Sequence, residues 1–277
     1  MKVDILKQSG FCGGVTHALW ILDKTIKENP GETIYLLGPI VHNMLVNNEY
    51  RDKGVVFVDP LSIEKVPDNA IVVISAHGKS DKEIQKLSRF RIVDTTCPYV
   101  QKNKQLIKSH EASNIIFIGK KAHAETRALC GDNDSIYIVE NEDDINKFHS
   151  NAFGVVFNQT TYNLSKLEKI WDIIKKDIPN FEIINTICPV SKALQDYLRY
   201  KDEEYNVAVV VGDRTSSNAN SLYEMSPYHP TYFVGSADEA KNLPIRQIDR
   251  IIIIGSASTP KKELQKVNDA IKSKELH

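Results

Sequence analysis

Runs of apolar residues long enough to cross a bilayer are absent from this chain, and so is any excess of charge: 35 Lys and Arg stand against 36 Asp and Glu. The first absence argues against a membrane-spanning protein, and the second against a bulk electrostatic surface for nucleic acid or anionic lipid. No Gly/Ser linker or low-complexity tract divides the 277 residues. Met1-Lys2-Val3-Asp4 leads straight into strand-like sequence, without the basic and apolar regions of a secretion signal, so the chain is expected in the cytoplasm. Cysteine is scarce as well, with four in the whole chain. No two of them form a C-x-x-C pair, which excludes a local zinc knuckle or dithiol motif, and disulfides are disfavoured without a secretory signal.

What is present is a repeat. Cys12, Cys97 and Cys188 stand 85 and 91 positions apart (12 to 97, 97 to 188), and each opens a similar stretch. Thr95-Thr96-Cys97-Pro98-Tyr99-Val100 resembles Thr186-Ile187-Cys188-Pro189-Val190, while Gly10-Phe11-Cys12-Gly13-Gly14-Val15 keeps the cysteine and the valine. Helical spacing follows, as in Val15, Leu19, Leu22 and Ile26, stopped by Pro30-Gly31. Next come apolar runs that end in glycine, Ile34 to Gly38, Ile115 to Gly119 and Val207 to Gly212, then a weaker strand, then a second apolar run. Those second runs close on Ser75-Ala76-His77-Gly78, Asn158-Gln159-Thr160-Thr161 and Gly255-Ser256-Ala257-Ser258.

Strands alternating with helices predict an α/β protein with mostly parallel sheets, whose ligands lie beyond the carboxyl ends of the strands. The chemical groups concentrate there: His42 and Asn43, His77, His123 and Glu125, and Thr215 to Asn218. A trefoil of three pseudo-symmetric α/β lobes, 1–94, 95–185 and 186–277 within one compact catalytic unit, satisfies the pattern and gathers the three cysteines at a centre. Three converging thiolates could hold zinc together with a water. Equivalent positions in three repeats suit a 4Fe-4S cluster better, with one iron left open for an oxygen ligand. A cysteine is often no more than a small buried hydrophobe; Cys130, outside the repeat, is read that way.

Phe11-Cys12-Gly13-Gly14-Val15, Val41-His42-Asn43, Ser75-Ala76-His77-Gly78, Asp94-Thr95-Thr96-Cys97-Pro98, His123-Ala124-Glu125, Gln159-Thr160-Thr161, Thr186-Ile187-Cys188, Ser216-Ser217-Asn218 and Ala257-Ser258-Thr259-Pro260 together resemble the ordered motifs of the 4-hydroxy-3-methylbut-2-enyl diphosphate (HMBPP) reductase family. The resemblance runs over nearly the whole chain. It implies the trefoil fold and the last step of the non-mevalonate isoprenoid pathway: reductive loss of an allylic hydroxyl to give isopentenyl and dimethylallyl diphosphates. It further implies that Cys12, Cys97 and Cys188 hold the cluster, and that His42, His77, His123, Ser216, Ser217, Asn218 and Ser258 grip the diphosphate. Thr160 and Glu125 would then act at the substrate hydroxyl, with ferredoxin or flavodoxin as electron donor.

The chemistry of these residue types agrees with those roles. Imidazoles, hydroxyls, an amide and backbone N–H groups at helix starts bind a diphosphate without a basic patch. A carboxyl in a closed pocket keeps its proton near neutral pH, as an acid that releases water requires. The chain departs from the family at Ala124, where many members have proline, at His17 and Ser256, and in Val190-Ser191-Lys192-Ala193-Leu194-Gln195, where an arginine is usual. A different class stays open on the residues alone: a cluster-bearing hydro-lyase or ligand-binding protein acting on another small anionic diphosphate. A pure binder would need the cysteines and the anion-binding groups but not Glu125 with Thr160, whereas a hydro-lyase would turn over without consuming reductant.

Overall fold

The computed structural model describes residues 1–148 and 152–276, in which twelve strands and eleven α-helices alternate. In chain order the strands are β1 (Lys2–Ile5), β2 (Ile34–Leu37), β3 (Val56–Val58), β4 (Ile71–Ile74), β5 (Arg91–Asp94), β6 (Asn114–Ile118), β7 (Tyr137–Val139), β8 (Gly154–Asn158), β9 (Phe181–Ile183), β10 (Val207–Val211), β11 (Thr231–Val234) and β12 (Arg250–Gly255). The helices are α1 (Gly13–Glu28), α2 (Met44–Asp52), α3 (Asp81–Gln85), α4 (Pro98–Lys108), α5 (Ala124–Cys130), α6 (Glu142–Asn146), α7 (Leu164–Asp177), α8 (Pro189–Leu198), α9 (Ser217–Met225), α10 (Ala237–Lys241) and α11 (Lys261–Lys272).

The strands form three four-stranded sheets, β3-β2-β4-β5, β7-β6-β8-β9 and β11-β10-β12-β1, and every pairing is parallel. Read from the first strand of each lobe, all three have one order, second-first-third-fourth. This is the repeat that the expected trefoil requires. One strand of the third sheet comes from the other end of the chain. β1 pairs with β12, Lys2 opposite Arg250 through Ile5 opposite Ile253, and so supplies the fourth strand of the third lobe rather than belonging to the first. No local pattern marks that pairing, because the partner strand lies at the other end of the chain. By compactness the chain falls into one unit of Met1–Cys12, His42–Val46 and Pro189–His277 and another of Gly13–Val41 and Asn47–Cys188.

Parallel strands covered on both faces read as continuous apolar runs, since successive side chains point to opposite sides. In the first unit Val207, Val209, Val211, Ile251 and Ile253 pack on one side of the sheet with Leu264, Val267 and Ile271 of α11. Ala208, Val210, Ile252 and Ile254 pack on the other with Leu194 and Leu198 of α8 and Leu222 of α9. Each such aliphatic side chain contributes about 1.5–3 kcal/mol by burial. The second unit repeats the scheme: Ile115, Phe117, Val155 and Phe157 pack with Val100 and Ile107 of α4 and Leu129 of α5. Helix starts are marked by side-chain caps, including the reciprocal Ser80 and Glu83 box before α3 and Asn163 before α7. The connection at 59–68 holds a 3-10 turn (Pro60–Lys65), and that at 141–150, of which 149 and 150 lie outside the described residues, holds α6.

Candidate active site

The repeat becomes specific at the cysteines. Each follows the fourth strand of its lobe and immediately precedes a helix: Cys12 before α1, Cys97 before α4 and Cys188 before α8. Each also donates its backbone N–H to the carbonyl two residues beyond the third strand, Cys97 to Ala76 at 3.0 Å, Cys188 to Thr160 at 2.9 Å and Cys12 to Ala257 at 3.0 Å. A hydroxyl just upstream pins the approach. Thr95 Oγ1 donates to the Ile74 carbonyl at 2.5 Å, Thr186 Oγ1 donates to the Asn158 carbonyl, and Ser9 Oγ accepts from Gly255 N at 2.9 Å. Ile74, Asn158 and Gly255 are the last residues of their third strands. All three thiols are half-buried.

A helix start favours negative charge, so thiolates placed there are suited to soft metal ligation. Burial pushes the Cys97 thiol up, with Cys188 and Glu125 adding to the effect, against the N–H groups of Val100 and Tyr99 that favour the thiolate. Tyr99 ties the two cysteine loops of the second unit together by donating its hydroxyl to the Ile187 carbonyl at 2.9 Å. Cys130 differs in kind: it lies in the apolar core with Val100, Ile107 and Leu129, and burial drives its thiol far up. No three His, Cys, Asp or Glu side chains among the described residues are grouped as one bound ion requires.

In the second unit Glu125, only 3% exposed, receives two bonds from one residue: Thr160 N to Oε1 at 2.7 Å and Thr160 Oγ1 to Oε2 at 2.6 Å. Burial pushes its carboxyl up to about 7, although both bonds favour the ionised form. Once protonated, Glu125 can return the second bond, giving its hydrogen to Thr160 Oγ1 and turning the threonine's own hydrogen outward. His123 caps α5, its Nδ1 accepting from Glu125 N at 3.2 Å, so a neutral ring carries its hydrogen on Nε2. The His123 ring meets that of His77 edge-on, centroids 5.9 Å apart. The Thr160 carbonyl holds Cys188, and Ala76, which holds Cys97, is the residue before His77. These six side chains therefore share one framework.

The first unit gathers the others. Ser216 caps α9 by accepting from Ala219 N at 3.3 Å, which places Ser217 and Asn218 in the helix's first turn. Asn218 Oδ1 accepts from Ala257 N at 2.9 Å, and the neighbouring Ser258 donates to the His42 carbonyl at 3.0 Å. Burial holds His42 below the usual imidazole range, with Asp213 pulling the other way. Asp213, which the sequence reading did not single out, accepts from Met44 N and from both donors of Thr215 at 2.7–2.8 Å. Its signal was position, one residue past the glycine that follows β10. The two units echo each other: Glu125 takes the N–H of the residue two past β8, as Asn218 takes that of the residue two past β12.

Parallel α/β lobes repeated three times, each with a cysteine at a helix start, define a class of repeat-built α/β proteins, and the comparisons identify which. Residues 3–272 match the family model described as LytB protein, and the chain belongs to that family. It is 32% identical over 286 residues, 98% of this chain and 90% of the relative, to the 4-hydroxy-3-methylbut-2-enyl diphosphate reductase of Actinobacillus succinogenes. To the enzyme of the same name from Lysinibacillus sphaericus it is 31% identical, over 94% of this chain and 84% of the relative. Among solved structures, the E-1-hydroxy-2-methyl-but-2-enyl-4-diphosphate reductase of Plasmodium falciparum superposes with a TM-score of 0.88 and 29% identity, over 97% of this chain and 87% of that one. None of these relatives supports the hydro-lyase or binding-protein alternative.

Proposed function

We propose that this chain is an HMBPP reductase, removing the allylic hydroxyl of (E)-4-hydroxy-3-methylbut-2-enyl diphosphate to give isopentenyl and dimethylallyl diphosphates. The observation that carries the reading is the threefold hydrogen-bond environment of Cys12, Cys97 and Cys188, read together with membership of the LytB family. Cys12, Cys97 and Cys188, in equivalent hydrogen-bond settings, would hold a 4Fe-4S cluster, which would pass on the donor's two electrons one at a time and offer an open Lewis-acidic iron. The reaction consumes two electrons and two protons and releases water, so a reductant of the ferredoxin or flavodoxin type is required.

The chain's own residues handle binding and protons. His42, His77, His123, Ser216, Ser217, Asn218 and Ser258 offer imidazole, hydroxyl and amide donors to the diphosphate. Burial pushes the Glu125 carboxyl up to about 7, which leaves it about half protonated at neutral pH, and Thr160, bonded to its Oε2, would pass that proton to the departing hydroxyl. No helix among the described residues is long and apolar enough to cross a membrane. We place the enzyme in the cytoplasm, where soluble electron carriers reach it.

Anaerobic purification with iron and sulfide counts, followed by HMBPP turnover with an artificial reductant, tests the reading. About four iron and four sulfide per chain and reductive turnover are expected. An active protein without iron, or a loaded cluster with turnover that consumes no reductant, overturns it.

A further inference from the structure

Ser191 is the third residue of α8, and the third residues of the helices that follow the other two cysteines are valines: Val15 in α1 and Val100 in α4. The repeat thus has an apolar side chain at this position in two lobes and a hydroxyl in the third, although Ser191 is only 2% exposed. One turn on, Gln195 is fully buried as well. Burying two polar side chains, one of them where the other lobes place valine, is costly unless each bond is used.

The bonds form a chain. Gln195 Nε2 donates to Ser191 Oγ at 3.0 Å, and Asn218 Nδ2 donates to the same oxygen at 3.1 Å. A serine hydroxyl has two lone pairs and one hydrogen, so both lone pairs are taken and only the hydrogen is left to give. Asn218 is fixed at its other end by Ala257 N, which can only donate and so must face Oδ1; one hydrogen on Nδ2 remains beyond the one given to Ser191. The Ala257 peptide, whose carbonyl holds the Cys12 N–H, closes the chain.

We propose that Ser191 and Gln195 are positioning residues that lock Asn218 with its nitrogen outward and leave two adjacent hydrogens, on Asn218 Nδ2 and Ser191 Oγ, for the oxygens of the bound diphosphate. This inference rests on the diphosphate-binding reading above and deepens it. It also gives a reason for a buried hydroxyl where the other two lobes place valine.

The test uses cluster-loaded protein and two probes: inorganic diphosphate in a calorimetric titration and HMBPP in steady-state turnover. Ser191→Val, which installs the residue native to this position in two lobes, is expected to raise the diphosphate Kd and the HMBPP KM about tenfold, with iron content kept and kcat within about twofold. Gln195→Met is expected to weaken binding about threefold, and Ser191→Thr to restore it. A folded, iron-replete Ser191→Val protein that binds diphosphate as wild type does overturns the inference and leaves the proposed function standing. So does an impaired Ser191→Val that Ser191→Thr does not rescue, since the loss is then one of packing. Wild-type protein that holds its cluster but takes up no diphosphate overturns both readings.

Discussion

A carboxyl sealed from water and bonded to a single threonine holds a proton at a pH where a surface glutamate has lost it. Native Glu125 titrates at about 7 against 4.5 for the ordinary group. Between those values the folded chain keeps the proton and the unfolded chain does not, so this residue's contribution to stability is full below about 4.5 and lost as pH rises through 7. The loss amounts to about 3 kcal/mol. Glu125→Gln, neutral at every pH, should therefore gain stability relative to wild type by about that much between pH 4.5 and 8 in urea titrations; a difference independent of pH would give Glu125 an ordinary pKa. The same variant should keep its iron and its affinity for diphosphate yet lose turnover by about 10²–10⁴-fold. Near-normal turnover would remove Glu125 from the proton path. Among the thiols, Cys12→Ala, Cys97→Ala and Cys188→Ala should each abolish iron retention. Cys130→Ala should retain it and lose only some stability from its core.

Elements carry these side chains into place through a few tight positions. Gly78 follows His77 at φ +76°, and a Cβ there would lie 2.9 Å from Thr96 Cγ2, in the loop that leads to Cys97. Gly78→Ala should cost at least about 1–2 kcal/mol in thermal unfolding and reduce both iron content and diphosphate binding, because His77 and Cys97 flank the clash. An unchanged iron content would show that the loop yields. The central strands were legible because Val207–Val211 and Ile71–Ile74 are uninterrupted apolar runs between turn residues. The edge strands β5 and β9 were not: Arg91-Ile92-Val93-Asp94 and Phe181-Glu182-Ile183 are short, partly exposed and mixed in polarity. Strand-end chemistry showed in the sequence as residue type at repeated phase. The Glu125 and Thr160 pair came only through family resemblance, since two residues 35 positions apart leave no local trace of their bonding. Ser191 stood out in the sequence only within a stretch that departs from the family, and its bonds to Gln195 and Asn218 needed the structure.

The molecule as a whole is one lobe design used three times, with the third lobe completed by the first strand of the chain. Removing residues 1–6 would bare the edge of β12 and strip Val3 and Leu6 from the two faces of that core. The truncated protein is expected to unfold at a lower temperature and to lose iron even though all three cysteines remain. Intact iron content and an unchanged Tm would mean that β1 is dispensable. The pairing of β1 with β12 also sets an order on synthesis. The lobe of β2 to β5 has all its strands once residue 94 has been made, and that of β6 to β9 once residue 183 has. β1 leaves the ribosome first yet has no partner until β12 emerges, so Cys12 is the first of the three cysteines to be made and the last to find its hydrogen bond. If all three hold the cluster, as proposed, its loading must wait until Ala257 has been made.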